Sequence, residues 1–292
     1  MKIPRIGTTS PGSSPLRLVA TDLDGTLLRS DQSISERSRA LLQELQSAGI
    51  VIVLVSARPP RGIIPIARAY NINGLALCCN GAVIYDLDQD RVLQERTLMP
   101  QQIEYLVRYL DSSIADLSFA AESGNNVICE AAFYPYCVQT DDPPPQIVET
   151  AALWQRPLIK ILAHHTSLSS EDLYAQIHPL LDRSIYSITY SGGEFLEISS
   201  GGISKGEALA ALCTQLNVTR DEVVAFGDMP NDLSMLRWAG LSIAVANAHP
   251  LVLQSVDAVT LSNEEDGVAY MLEQLSACVP TSLAFPPIAD GE

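Results

Sequence analysis

The chain has 292 residues, 47% of them hydrophobic, and a formal net charge of −16. This length allows one large domain or two modest ones with a full apolar core. The acidic balance argues against nucleic acid or an anionic membrane surface as a partner, because both attract clusters of Lys and Arg. No apolar run approaches the roughly 18 residues of a membrane span.

The two ends of the chain and its cysteines indicate where the protein is expected to work. Residues 1–15 are rich in Ser, Thr, Gly and Pro and contain no apolar segment of the kind that directs secretion. Residues 279–292 are rich in proline and also predict irregular structure. We therefore expect a disordered leader, a flexible tail and a cytoplasmic protein. The six cysteines have no zinc-binding spacing and are expected to be reduced thiols.

Strands and helices alternate in the first part of the chain. The sequence predicts strands at residues 18–20, 50–55 and 75–79 and helices at residues 33–49 and 59–70. Ser33 and Glu36 have the spacing of a capping box, which places the start of the first helix at Ser33. This alternation predicts a parallel sheet with helices on both faces.

Residues 98–190 break the alternation, and the earlier pattern returns after them. Inside this segment the sequence predicts helices at residues 100–110 and 170–181 and strands at 117–121, 126–130, 158–163 and 184–190. After it the sequence predicts helices at residues 204–216, 231–238 and 264–275 and strands at 223–226 and 243–245. The fold class is therefore α/β, a Rossmann-like doubly wound parallel sheet formed by residues 16–97 and 191–278. Residues 98–190 are expected to form an inserted α+β domain with its own antiparallel sheet.

Two carboxylates follow the first predicted strand. Asp22 and Asp24 project to the same side because side chains alternate along an extended chain, and Gly25 and Thr26 continue into a turn. Open α/β sheets hold ligands at the carboxyl ends of their strands, so two carboxylates there favour a divalent cation. A pair of aspartates in a turn by itself more often makes local hydrogen bonds.

A second acidic group follows the strand predicted at residues 223–226. After Gly227 come Asp228, Asn231 and Asp232. Each of these three side chains could instead cap the next helix, but one cap does not account for three polar groups after one strand. We therefore favour a functional site at the end of this strand.

Other polar side chains, which lie between these clusters, could hold a phosphate group. Ser56 follows the second predicted strand and could donate its hydroxyl to a phosphoryl oxygen or cap the next helix. Arg58 could help to bind phosphate or pair with an acid on the surface. Lys205 lies at the start of a predicted helix, where the helix dipole disfavours a cation, so its position indicates an anionic partner.

Together these segments resemble, in content and order, the four motifs of the haloacid dehalogenase superfamily of phosphotransferases. Residues 79–82, 239–248 and 263–268 are similar to the Cof-type, sugar-phosphatase-like branch of that superfamily. The resemblance covers residues 16–275 and is weakest between residues 98 and 190. It implies that residues 98–190 are a cap domain, of the type called C2, that covers a site in the core.

The resemblance also implies a role for each candidate residue. Asp22 would attack phosphorus and form an aspartyl-phosphate, and Asp24 would act as general acid and then as general base. The ligands of Mg²⁺ would be Asp22, the backbone carbonyl of Asp24, and Asp228. The phosphoryl group would be bound by Ser56, Lys205 and Asn231. The supporting residues would be Gly25 and Thr26 in the turn, Arg58, and Asp232, which would tune the metal or orient Lys205.

The implied function is a Mg²⁺-dependent phosphatase for small phosphorylated metabolites. Sugar phosphates come first, followed by nucleotides, flavin mononucleotide and pyridoxal phosphate. A phosphomutase of the same superfamily would use the same two aspartates, and a catalytically inactive phosphometabolite-binding protein would keep the fold. His164 and His165 end an apolar strand without a third ligand and are expected to be structural. Glu122, Tyr134 and Tyr136 lie in segments of the insert that could face the substrate.

Overall fold

The computed structural model describes residues 16–137 and 143–276. The expected leader, residues 1–15, and tail, residues 279–292, lie outside the described residues. The strands are β1 (Leu18–Asp22), β2 (Val51–Val55), β3 (Leu75–Cys78), β4 (Val83–Asp86), β5 (Arg91–Glu95), β6 (Leu117–Glu122), β7 (Val127–Cys129), β8 (Gln146–Ile147), β9 (Lys160–His165), β10 (Tyr186–Thr189), β11 (Phe195–Ser200), β12 (Val223–Gly227), β13 (Leu241–Ala244) and β14 (Ala258–Val259). The helices are α1 (Glu36–Ser47), α2 (Pro60–Tyr70), α3 (Pro100–Ser113), α4 (Ser170–Ile177), α5 (Lys205–Gln215), α6 (Leu233–Trp238), α7 (Pro250–Leu253) and α8 (Gly267–Ser276). Within this part of the chain, no helix is both long and apolar enough to span a membrane.

The larger sheet forms the core and confirms the predicted α/β fold class. Its strand order in the described residues is β14-β13-β12-β1-β2-β3-β4-β5. The strands from β14 to β3 are parallel, and the hairpin of β4 and β5 adds an antiparallel edge. Strands β2 and β3 lie on one side of β1, and β12, β13 and β14 lie on the other side. The direction of the strand order therefore reverses between β1 and β12. A crevice forms at such a reversal, at the carboxyl ends of the strands.

The smaller sheet belongs to the inserted domain, and its strand order is β10-β11-β9-β6-β7-β8. Among the described residues, neighbouring strands of this sheet are antiparallel, except that β7 and β8 form a short parallel pair. One face packs on α3 and α4 through buried residues such as Phe119, Ile161 and Leu196. Because side chains alternate along a strand, the opposite face carries Lys160 and Glu197.

The structure moves two boundaries that the sequence predicts. The inserted domain does not end at residue 190, because β11 pairs with β9 and β10 and extends the second sheet to Ser200. The predicted helix start at Ser33 is also wrong. The N-cap of α1 is Ser35, whose hydroxyl accepts from the backbone N–H of Ser38 at 3.0 Å. Ser33 instead belongs to the preceding turn, where its carbonyl accepts from the N–H of Arg29 at 2.9 Å.

Candidate active site

The two acidic clusters meet at the carboxyl ends of β1 and β12. These strands are parallel neighbours with Thr21 opposite Phe226, so Asp22 and the loop after Gly227 lie side by side. Carboxylate oxygens of Asp22, Asp228 and Asp232 lie within 4.8 Å of one another, and all three residues are buried. The hydroxyl of Thr26 donates to Oδ1 of Asp228 at 2.8 Å. Thr26 therefore joins the two clusters, whereas the sequence suggests only support for its own turn.

Lys205 provides the positive charge at the centre of this acidic group. Its side chain is 1% exposed, and its Nζ donates to Oδ1 of Asp22 at 2.5 Å and to Oδ1 of Asp232 at 2.6 Å. The other oxygen of Asp232 accepts from the backbone N–H groups of Asp228 and Met229, at 3.0 and 2.9 Å. Both oxygens of Asp232 are therefore engaged. Of the two roles considered for Asp232, the geometry favours orienting Lys205 over binding a metal ion.

Three buried carboxylates share one ammonium in this group, and burial is the main cause of the raised pKa values of its carboxyls. Burial raises the pKa of the Asp22 carboxyl well above its ordinary value, and the Asp232 and Asp228 carboxylates add to this more weakly than Lys205 opposes it. Burial and the Asp232 carboxylate raise the pKa of Asp228 to about 7. Burial would lower the pKa of Lys205, but Asp22 and Asp232 outweigh it and raise that pKa.

The donor set fits a divalent cation. Oxygen ligands from carboxylates suit Mg²⁺ or Ca²⁺, and a dication would supply the missing positive charge. Gly25 leaves room beside Asp228: its φ is +77°, and a Cβ added there would lie 2.5 Å from Oδ2 of Asp228. Glycine is therefore required where the first loop approaches the second.

A divalent cation should stabilise the protein more at pH 8 than at pH 6. Because the pKa of both Asp22 and Asp228 is raised on folding, the stability that their protonation provides is present at low pH. It is lost as the pH rises through the folded pKa, which is about 7 for Asp228. The cation must displace these protons, so it binds better once they have left.

Thermal unfolding with and without MgCl₂ at pH 6, 7 and 8 measures this effect. At roughly 100 times its Kd the cation contributes about 2.7 kcal/mol, and we expect a gain of this size only at the higher pH. Asp228→Asn should reduce the gain at every pH. An equal shift in Tm at pH 6 and pH 8 would contradict the assignment.

Asp24 and Arg58 form a bidentate pair at the rim of the site. Nε of Arg58 lies 2.7 Å from Oδ2 of Asp24, and its Nη2 lies 2.5 Å from Oδ1. The sequence left open whether Arg58 binds phosphate or pairs with an acid on the surface. In the structure it pairs with an acid, and that acid belongs to the candidate site. Ser56 is buried, and its Oγ accepts from the N–H of Arg58 at 3.1 Å. The hydroxyl hydrogen of Ser56 remains able to donate.

Asn231 is held by a residue that the sequence does not assign to the site. Its Nδ2 donates to Oδ1 of Asn80 at 3.0 Å, and Nδ2 of Asn80 donates to Oε2 of Glu197 at 3.1 Å. Oδ1 of Asn231 is buried and has no hydrogen-bond partner within the described residues. The amide that the sequence assigns to phosphate is therefore tethered, through Asn80, to the inserted domain.

The inserted domain forms the opposite wall of a cavity of about 730 Å³. Asp22, Asp24, Ser56 and Asn231 line the cavity on the core side. The lining residues of the insert include Glu122, Phe133, Tyr136, Lys160, Phe195 and Glu197. Of the three insert residues that the sequence suggests, Glu122 and Tyr136 line this cavity, whereas Tyr134 packs against a small apolar cluster.

Lys160 and Glu197 are not among the residues predicted from the sequence, although the sequence contains a signal for them. Each is a charged strand residue with an apolar residue on either side in the sequence, Lys160 between Ile159 and Ile161 and Glu197 between Leu196 and Ile198. Charged residues are rarely buried without a partner. A charge in such a strand therefore indicates a buried ion pair.

His164 packs against aromatic side chains of the inserted domain. Its ring stacks on that of Tyr136 with centroids 3.6 Å apart, and burial lowers the pKa of its imidazole. Within the described residues, the acidic group of Asp22, Asp228 and Asp232 is the only cluster that could hold a metal ion. The cysteines in this part of the chain are free thiols.

The chain is similar to known proteins over most of its length. The sequence profile of the haloacid dehalogenase-like hydrolases matches residues 19–272. A solved haloacid dehalogenase-like hydrolase from Bacteroides thetaiotaomicron is 31% identical, with a TM-score of 0.73, over 89% of this chain and 99% of that chain. The 5-amino-6-(5-phospho-D-ribitylamino)uracil phosphatase YcsE of Bacillus subtilis is 27% identical over 87% of this chain and 93% of its own. The pyridoxal phosphate phosphatase YbhA of Escherichia coli is 26% identical over 88% of this chain and 97% of its own.

Proposed function

The chain belongs to the Cof-type haloacid dehalogenase-like hydrolases and hydrolyses phosphoric monoesters, and we propose that it does so with Mg²⁺ through an aspartyl-phosphate on Asp22. The observation that carries this proposal is the position of Asp22. This carboxylate is buried between Lys205 and Asp228. It lines a cavity whose opposite wall is formed by the inserted domain. A nucleophile, a cation and metal ligands are thus grouped where a phosphate ester can enter.

The side chains divide the reaction between them. Oδ1 of Asp22 is bound to Lys205, which leaves Oδ2 to attack phosphorus and form the acyl phosphate. Lys205 and the hydroxyl of Ser56 offset the charge that develops on the phosphoryl oxygens. Asp22, the carbonyl of Asp24, and Asp228 would hold Mg²⁺, which would neutralise phosphate charge and keep Asp22 ionised. As the bond from Asp22 to phosphorus forms, the ester P–O bond breaks and the leaving oxygen takes a proton from Asp24, which must be protonated for this step. Water then attacks the acyl phosphate and gives a proton back to Asp24, which releases inorganic phosphate and the Asp22 carboxylate.

Asp24→Asn should lower kcat by roughly 10²–10⁴, the usual range for a lost general acid. Both oxygens of Asp24 are bound by Arg58, so Asp24 exchanges one of these bonds for the leaving oxygen when the substrate binds. The loss should be larger for an alkyl phosphate, whose leaving group needs the proton, than for p-nitrophenyl phosphate. Steady-state rates for the two esters measure the difference. Equal losses would show that Asp24 has another role.

The insert wall favours a substrate that carries a flat ring. Phe133, Tyr136 and Phe195 line the cavity, and aromatic side chains pack favourably with flat rings. The cavity volume is within the ordinary range for small-molecule sites. We therefore propose small phosphorylated metabolites that carry a flat aromatic or pyrimidine ring, in line with the named substrates of YcsE and YbhA. Sugar phosphates are the second choice.

A screen of phosphorylated metabolites with Mg²⁺ tests this function. We expect free phosphate from pyridoxal phosphate, flavin mononucleotide or a ribityl-pyrimidine phosphate at a higher kcat/KM than from hexose phosphates. An isomerised ester without free phosphate would indicate a phosphomutase instead. If the folded, Mg²⁺-loaded protein hydrolysed none of the esters, including p-nitrophenyl phosphate, the proposal would be wrong.

A further inference from the structure

The cavity wall contains a buried ion pair that the proposed mechanism does not use. Lys160 on β9 and Glu197 on β11 lie on adjacent strands of the inserted sheet and are 6% and 3% exposed. Nζ of Lys160 is 2.5 Å from Oε2 of Glu197. Burying two charges costs free energy unless further hydrogen bonds satisfy both groups. The partners of this pair therefore show what it holds in place.

Lys160 binds the backbone of the loop that follows β2. Its Nζ donates to the carbonyl of Ala57, in the core, at 2.8 Å. The carbonyls on either side accept from core N–H groups, Ser56 from Asn80 at 3.0 Å and Arg58 from Cys79 at 2.9 Å. The middle carbonyl of three is thus bound by a cation of the other domain. Lys160 thus holds Ala57, which lies between Ser56, the candidate phosphate donor, and Arg58, the partner of Asp24.

Glu197 is connected, through Asn80, to Asn231 in the loop that follows β12. Its Oε2 accepts from Asn80, and Asn80 in turn accepts from Nδ2 of Asn231. Its Oε1 accepts from the hydroxyl of Ser191 at 2.7 Å. Asn80 is held in a left-handed conformation, with φ +57°. The next residue, Gly81, packs so closely that a Cβ there would lie 2.5 Å from Cβ of Ala208 on α5.

We infer that Lys160 and Glu197 are positioning residues, which set the geometry of the Ser56 loop and of Asn231 from the inserted domain. The inference rests on the proposed function and extends it. It makes the insert a part of the phosphate-binding apparatus as well as a wall for the organic part of the substrate. Residues that position the phosphate loops should affect every phosphate ester alike. Residues that recognise the organic part should affect some esters and spare others.

The double variant Lys160→Met with Glu197→Gln tests this inference. It removes both charges together, so no single charge is left buried and unpaired. We expect kcat/KM to fall roughly 10²-fold, the scale of a misplacement of ~1 Å, by the same factor for p-nitrophenyl phosphate and for two larger esters. The affinity for orthovanadate, a phosphate analogue, should fall as well. The single variant Lys160→Arg keeps the cation, so its kcat/KM should stay within tenfold of the wild-type value.

Arg61→Met with Glu122→Gln is the matched control for weaker docking of the insert. Both residues also line the cavity, so we expect the loss of kcat/KM in this control to differ between esters. Arg61 on α2 and Glu122 on β6 form a bidentate ion pair between the same two domains, with N···O distances of 2.7 and 2.8 Å. An equal loss for all esters in this control would show that domain docking, and not the loop contacts, is responsible. A loss in the Lys160 variant that depends on the organic group would also overturn the inference. Calorimetry with orthovanadate tests it even if no ester is turned over, so its failure is distinct from failure of the proposed function.

Discussion

Asp22→Asn should abolish phosphate ester hydrolysis while the protein stays folded. The neutral amide cannot attack phosphorus, and removal of a catalytic nucleophile costs on the order of 10⁴-fold or more in kcat. The amide keeps the size of the carboxylate, and its oxygen can still accept from Lys205, which retains Asp232 as an anionic partner. Release of phosphate from p-nitrophenyl phosphate measures the loss.

The same substitution should not destabilise the metal-free protein at pH 8. The raised pKa of Asp22 means that its ionisation opposes folding at high pH, and an amide removes this cost. We expect the Tm without Mg²⁺ to equal or exceed that of the wild type at pH 8, with a smaller increase on adding Mg²⁺. Asp90→Asn, on an exposed turn away from the site, is the matched control and should keep full activity. Activity of Asp22→Asn within tenfold of the wild type would refute the nucleophile assignment.

Lys205→Met should impair both stability and catalysis. Removing the ammonium leaves Asp22, Asp228 and Asp232 buried without their cation. The loss of one partner from a buried pair costs about 3–5 kcal/mol. The loss of a charge that stabilises the transition state lowers kcat by roughly 10²–10³. Thermal unfolding and steady-state kinetics measure the two effects.

A second substitution separates the two effects of Lys205. Lys205→Met with Asp232→Asn removes one of the unmatched carboxylates, so it should recover part of the lost Tm. It should recover none of the activity, because the ammonium that faces Asp22 is still absent. Lower pH and added Mg²⁺ should also stabilise the single variant, since both reduce the uncompensated charge. A single variant as stable as the wild type at pH 8 would contradict the charge balance described above.

The sequence by itself determined where the two acidic clusters lie and predicted a site there. Asp22 follows one buried apolar strand and Asp228 follows another, and the ends of parallel strands in one sheet lie together. Short apolar runs followed by polar residues are enough to predict such strands and their ends. The sequence also indicated an anionic partner for Lys205, because the helix dipole disfavours a cation at the start of a helix. Its partners proved to be Asp22 and Asp232.

Only the tertiary structure decided how these residues are connected. Arg58 pairs with Asp24, Thr26 with Asp228, and Lys160 with Ala57, and each contact joins segments that no local pattern relates. The end of the inserted domain at Ser200 was decided in the same way, because β11 is assigned by its pairing with β9. Propensity and periodicity depend on neighbours within one turn or one strand. Hydrogen bonds and ion pairs between loops depend on where the folded chain brings them, and that is set by the packing of the whole domain.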